Sequence, residues 1–155
     1  MAKTSLANRV PVAILSSPLH RLLSAKRLVL TFTGRRTGTV YTTPVNYLQR
    51  GRELLITTDH HWWRNLEGGA SVALRLRGRQ VDATAEAVRE PFEVAAALTA
   101  LICDHPPYGR WAHVGVNADG TPNAADVRAE VARGRVLVRV QLPDDTRPAT
   151  TRDTP

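Results

Sequence analysis

The feature that most narrows what this chain can fold into is a succession of short segments rich in Val, Leu, Ile and Thr, each followed by a compact turn. Strand-like runs cover Leu28 to Thr33, Val40 to Leu48, Glu53 to Thr58, Ser71 to Arg77, Gln80 to Val88 and Arg135 to Leu142. Side chains of this kind suit a pleated, half-buried surface. Gly34 and Gly38 bracket the first turn, Arg50-Gly51 marks the second, and Arg77-Gly78-Arg79 reads as a tight hairpin. Connections this short join antiparallel neighbours, and closing such a sheet removes its exposed edges. The expected fold is α+β and mainly β: a six-stranded antiparallel barrel with helices at the amino terminus and between strands.

Two stretches break the strand rhythm. Ile14, Leu15, Leu19, Leu22 and Leu23 recur at helical spacing over residues 13–26, with His20, Arg21 and Lys26 on other faces. This amphipathic helix has two readings: packed across the open end of the barrel, which is favoured, or resting as a basic helix on a membrane surface. Phe92 to Cys103 is Ala-rich, Pro91 suits a first helical turn, and the helix should end before Pro106-Pro107. Asn117 to Ala124 reads as loop. Residues 1–143 then form one domain and 144–155 a disordered tail.

The chain carries 21 Lys and Arg against 14 Asp and Glu, a net charge of +7. Such a surplus attracts nucleic acid, anionic lipid or a phosphorylated small molecule. The arginines are scattered through strands and not interleaved with aromatic stacking platforms, which argues against nucleic acid. Cys103 is the only cysteine, so no internal disulfide forms, and a reducing, cytoplasmic location fits. His60-His61 lacks a third ligand at a recognisable spacing, so no metal site is expected. No run of apolar residues reaches the roughly 20 that a membrane span needs. A nucleophile elbow, a paired acid dyad and a reactive cysteine environment are also missing. Redox chemistry needs none of these, because there the cofactor carries the reaction.

The most informative stretch is TFTGRRTGTVYTTPV, Thr31 to Val45. Gly34 and Gly38 permit backbone angles closed to other residues, so the turn's N–H groups could converge on an anion. Arg35 and Arg36 supply two-pronged charge for phosphate oxygens, and Thr37 a hydroxyl. A strand follows, whereas a P-loop requires a helix. Pro44 cannot donate to a ladder and implies an edge or a bulge. In TTDHHWWRNL, Thr57 to Leu66, adjacent Trp62 and Trp63 cannot both face one core side. One should pack inward and the other should stand at a pocket wall or subunit contact. DHPPYGRWAH, Asp104 to His113, is a proline-stiffened segment able to lid a pocket.

Taken in order, the TGRRTG turn, the TTPV strand, the WWRNL segment and the PPYGRW loop resemble the deazaflavin-dependent nitroreductase and quinone reductase family. The likeness runs from about Leu28 to Trp111. It implies a flavin-binding split barrel, the 8-hydroxy-5-deazaflavin coenzyme F420, and hydride transfer to a small-molecule acceptor: a quinone, a nitroaromatic or an activated alkene. By position, the resemblance implies that Arg35, Arg36, Thr37 and Gly38 hold the coenzyme's phosphate and acidic tail. Thr42, Thr43, Pro44 and Val45 would line its ring, and Thr57 and Thr58 would touch the ring's polar edge. Trp63, Asn65 and Leu66 match the family's aromatic, Asn, Leu signature, and Tyr108 matches its pocket tyrosine, able to orient or protonate the acceptor. Homodimer formation is implied too. Before Trp62 the sequence departs from the family, keeping only Asp59-His60-His61 where relatives carry a longer Gly-rich loop. FMN is therefore the alternative cofactor, and a non-catalytic flavin, deazaflavin or haem binding module the alternative function.

Overall fold

The computed structural model describes residues 26–144. The expected helix over residues 13–26 and the tail from 145 onward lie outside the described residues, apart from Lys26. Strands β1 (Arg27–Thr33), β2 (Val40–Asn46), β3 (Leu48–Arg50) and β4 (Glu53–Thr58) lead into a 3-10 helix, His61–Leu66. Strands β5 (Ala70–Leu76) and β6 (Arg79–Val88) follow, then helices α1 (Pro91–Asp104), α2 (Tyr108–Trp111) and α3 (Ala124–Ala132), and finally β7 (Val136–Gln141).

All strand pairs are antiparallel, in one sheet of order β2-β1-β5-β6-β7-β4-β3. Among the described residues the sheet has seven strands, not six. The extra one arises because the segment expected as a single strand over Val40 to Leu48 changes partners. β2 pairs with β1, β3 pairs with β4, and Tyr47 between them is buried in the core, its N–H bonded to the Lys26 carbonyl at 3.2 Å. The two outermost strands are therefore consecutive pieces of chain, and the sheet curls back towards its own start. Pro44 lies opposite Val29 in β2, an outermost strand, where a residue without an N–H is tolerated.

Alternation with a period of two sets the inner face. Leu28, Leu30 and Phe32 of β1 meet Leu54 and Ile56 of β4, Val72 and Leu74 of β5, and Val136, Val138 and Val140 of β7 in one buried cluster. The β5–β6 hairpin closes through Arg77 and Gly78, both at positive φ (50° and 78°), as the twist of a two-residue loop requires.

Helix α1 covers the outer face of β4 and β7, packing Val94 and Ala97 on Leu55 and Leu137. It starts as expected, with Pro91 in the first turn and the Glu90 carboxylate accepting from the N–H groups of Phe92 (3.1 Å) and Glu93 (2.7 Å). The sequence reading assigned no helix to 124–132. Its apolar periodicity is thin, with Val127 as its buried hydrophobic residue, and its clearest local signal is the cap that Asn123 provides to the Asp126 N–H at 3.1 Å. A second buried cluster, including Leu98, Ile102, Tyr108 and Val127, joins the three helices.

Candidate coenzyme site

Strand β1 ends at Thr33, and the chain reverses through Gly34-Arg35-Arg36-Thr37-Gly38 before β2 begins. The pairing of β1 with β2 sets Phe32 opposite Tyr41, and their rings stack with centroids 5.5 Å apart and an interplanar angle of 23°. Trp62, carried in by the 3-10 helix, stacks on the same Phe32 at 5.5 Å and 26°. The result is a run of three rings, Tyr41, Phe32 and Trp62. These rings, together with Gly34, Arg36, Thr37 and Asn65, line one cavity of about 360 Å³.

Four amides in and just after the turn already have protein partners. Gly34 N–H donates to the Thr39 carbonyl (2.7 Å), Gly38 N–H to the Gly34 carbonyl (3.0 Å), Arg35 N–H to Asn65 Oδ1 (3.0 Å) and Thr39 N–H to Thr37 Oγ1 (3.3 Å). The expectation that the turn's amides converge on an anion is corrected to this extent: these donors are already satisfied. The exposed side chains of Arg35 and Arg36 supply the positive charge of the turn. Gly38 has φ +68°, which favours glycine, whereas Gly34 is needed for space: a Cβ there would lie 2.9 Å from Tyr41 Cε2.

The structure separates the other residues singled out from the sequence. On β2, Tyr41 stacks on Phe32 and Val45 packs against the barrel core, so Thr43 between them shares the inner face. Thr42 and Pro44 take the outer face, where Thr42 Oγ1 meets Thr31 Oγ1 at 3.2 Å. The four residues expected to line a ring thus divide between two surfaces. Of the two tryptophans, Trp63 packs inward, with Arg89 and Arg64 over its ring at 5.1 and 5.7 Å, and Trp62 forms the cavity wall. Asn65 also lines the cavity.

Thr57, Thr58 and Tyr108 lie elsewhere. Thr58 Oγ1 accepts from the His60 N–H at 3.1 Å, at the end of β4. Thr57 faces the helices, and its Oγ1 is 2.8 Å from the Tyr108 hydroxyl, which donates to the Thr57 carbonyl at 3.2 Å. Tyr108 is 6% exposed and packs among Leu98, Leu101 and Val127. Burial pushes its phenol pKa above the ordinary value of 10.0, against the lowering effect of the Thr57 hydrogen bond and the Arg135 charge. It is a packed, hydrogen-bonded side chain under the helices and not a lid on the aromatic cavity. Behind it, Arg135 donates to Glu130 Oε2 (3.1 and 3.2 Å) and to Thr57 Oγ1 (3.5 Å), and Glu130 also receives Arg133. Sequence reading missed this buried pair, just as it missed Phe32 and Tyr41 as cavity walls. The register across the GRRTG turn was the available signal for the two rings.

A larger groove of about 670 Å³ runs along the outer sheet face past Thr31, Ser71, Ala73, Asp82 and Thr84. Among the described residues its lining includes no Lys or Arg and one charged side chain, the Asp82 carboxylate, which disfavours an anionic ligand there. The smaller cavity, with Arg36 on its wall, has the matching charge.

A curled antiparallel sheet with a basic turn beside an aromatic-lined cavity defines the class to which this chain belongs: small, mainly β domains with helices on one face of the sheet. The sequence model of the F420H(2)-dependent quinone reductase family matches residues 15–115, more than half of the chain, and the protein belongs to that family of oxidoreductases, whose cofactor is coenzyme F420. No curated protein matches the sequence. Among solved structures, an F420-H2-dependent reductase is similar with a TM-score of 0.53 at 15% identity, over 76% of this chain and 95% of that one. A protein described as a domain-swapped dimer gives 0.52 at 15% identity, over 84% and 99%. An FAD-binding protein from Mesorhizobium loti gives 0.51 at 14% identity, over 83% and 91%. At these identities the likeness is one of fold.

The residues present fit coenzyme F420. Arg36 lines the cavity with Arg35 exposed beside it in the same turn, giving the charge an anionic tail requires, and Tyr41 and Trp62 on either side of the buried Phe32 give the aromatic surface an aromatic head requires.

Proposed function

We propose that the Gly34–Gly38 turn and the Tyr41, Phe32, Trp62 wall together form the coenzyme F420 site of this protein, and that the reducing equivalent goes to a quinone. The observation that carries this is the shared cavity: Arg36 and Thr37 line the same space as the three rings. Arg35 and Arg36 hold the phosphate and acidic tail, Thr37 adds a hydroxyl, and Gly38 lets the turn close. Thr43 and Val45 support the ring wall from the inner face of β2, while Thr42 and Pro44 brace that strand from outside. Thr57, Thr58, Trp63 and Tyr108 support the site without touching the coenzyme: Trp63 seats the 3-10 helix in the core, Thr58 holds the chain where β4 leads into that helix, and Tyr108 fixes Thr57 beneath the helices. When bound, the coenzyme supplies a hydride; the chain's part is to bind it, orient it and keep water off its face. Nitroaromatics and activated alkenes are further acceptors of the same two-electron type. The curled sheet corresponds to a split barrel, and we take the working unit to be a homodimer in the cytoplasm. No helix among the described residues is long and apolar enough to cross a membrane.

Titration of the purified protein with coenzyme F420, followed by mixing with a panel of quinones under anaerobic conditions, tests the reading. Micromolar binding, weakened when Arg35 and Arg36 are both changed to Ala, together with oxidation of the reduced coenzyme by quinone, is expected. Binding of FMN and not F420 would reassign the cofactor, binding without turnover would make the protein a carrier, and no binding of either would end the redox reading.

A further inference from the structure

Asn65 sits between the two walls of the cavity, and its amide is committed to both. Its Oδ1 accepts the Arg35 N–H at 3.0 Å, and its Nδ2 donates to the Trp62 carbonyl at 3.0 Å. Arg35 belongs to the basic turn, whereas Asn65 shares the 3-10 helix with Trp62: the first bond crosses between segments 30 residues apart in sequence, and the second, three residues back along the same helix, anchors the half-buried Asn65 side chain beside Trp62. Other ties between these walls are ring contacts: Phe32 stacks on Trp62 and on Tyr41. Stacking constrains the separation of two planes but leaves them free to slide, whereas a directional hydrogen bond from the turn to a side chain that is itself anchored on the Trp62 carbonyl restricts that freedom.

We propose that Asn65 is a positioning residue that sets the gap between the guanidinium turn and the Trp62 ring before coenzyme arrives. A merely cofactor-touching asparagine would have its amide aimed into the cavity with its hydrogen bonds unmade. Here each half of the amide already has a protein partner. The energetic role is preorganisation: ordering the two walls in the free protein removes an entropic cost from binding. This inference rests on the site assignment above, and it adds that Asn65 acts through Arg35 and Trp62.

The test is spectroscopic and thermodynamic. In the coenzyme-free protein, Asn65→Ala should shift Trp62 emission, a difference that disappears when both proteins also carry Trp62→Phe. Coenzyme F420 affinity should fall by about tenfold, the scale of one or two net hydrogen bonds. In a double-mutant cycle, Asn65→Ala should cost little in a Trp62→Ala background. Unchanged emission in the free protein, or an equal affinity loss with and without Trp62, overturns the proposal and makes Asn65 a direct ligand. Should the alanine variant fail to fold, Asn65→Leu keeps the side-chain volume and removes both the acceptor for Arg35 and the donor to Trp62. An unaltered Trp62 emission in that variant overturns the proposal equally. Wild-type binding and the Arg35 and Arg36 variants report on the site itself, so failure of the brace and failure of the site are told apart.

Discussion

The ring of Tyr41 occupies the place where a side chain on Gly34 would begin: a Cβ there would meet Tyr41 Cε2 at 2.9 Å. Gly34→Ala must therefore push the ring aside. Tyr41 is exposed and can swing outward, so stability should change by less than about 1 kcal/mol, some of it offset by the stiffer unfolded chain. Coenzyme affinity should fall several-fold, because the displaced ring leaves the cavity wall. Thermal unfolding and a coenzyme titration on the same sample check both halves; unchanged affinity would remove Tyr41 from the site.

Arg36 lines the cavity, and its guanidinium is solvent-exposed. Arg36→Ala should weaken coenzyme binding by roughly ten- to a hundredfold, the scale of a charge-assisted hydrogen bond. Arg36→Lys should recover only part of it, since an ammonium cannot grip two phosphate oxygens as a planar fork does. The wild-type affinity should also drop as salt is raised, and the Arg36→Ala variant should show a shallower salt dependence.

The buried pair Glu130 and Arg135 is a second point of leverage. Each side chain is 3% exposed, and their atoms approach to 3.1 Å. Removing one partner strands the other: Glu130→Ala should destabilise the fold by about 3–5 kcal/mol, eased where Asp59, 3.9 Å from Arg135, takes up part of the charge. Replacing both residues with apolar ones of similar volume, Glu130→Leu with Arg135→Met, should restore most of that loss. Urea denaturation of the wild type and the two variants distinguishes these outcomes.

Tyr108 gives a pH signature. Burial raises its folded pKa above 10.0, so the folded state favours the neutral phenol. The resulting stabilisation is fully present below pH 10 and is lost as pH climbs through the raised value. Unfolding midpoints measured from pH 8 to 11 should fall at the alkaline end, and the fall should be shallower in Tyr108→Phe. At neutral pH that variant should lose about 1 kcal/mol, one buried hydrogen-bonding hydroxyl. A Tyr108→Phe curve parallel to wild type would show that the phenol does not titrate with unfolding.

Much was legible along the chain because it depends on neighbours in sequence. Alternation placed Leu28, Leu30 and Phe32 on one face of a strand, Arg77-Gly78 announced a two-residue hairpin, and Glu90-Pro91 announced the start of α1. These are matters of backbone sterics and of side chains a fixed number of residues apart, and the amino-acid order alone determines them. The expectation that the adjacent tryptophans could not share one core side held only in part: Trp62 lines the cavity, but it also packs against the same cluster as Trp63.

Which tryptophan turned inward, how β2 divided its residues between two faces, and where Tyr108 went were decided only by the tertiary structure. The deciding contacts join distant positions: Arg35 with Asn65 across 30 residues, Thr57 with Tyr108 across 51, Thr57 with Arg135 across 78. Helix α3 belongs with them, since Val127 and Glu130 acquire their meaning from Tyr108 and Arg135 and not from a local apolar period. A buried charge or hydroxyl is stable only once its partner is in place, and that partner arrives through the fold and not through the sequence around it.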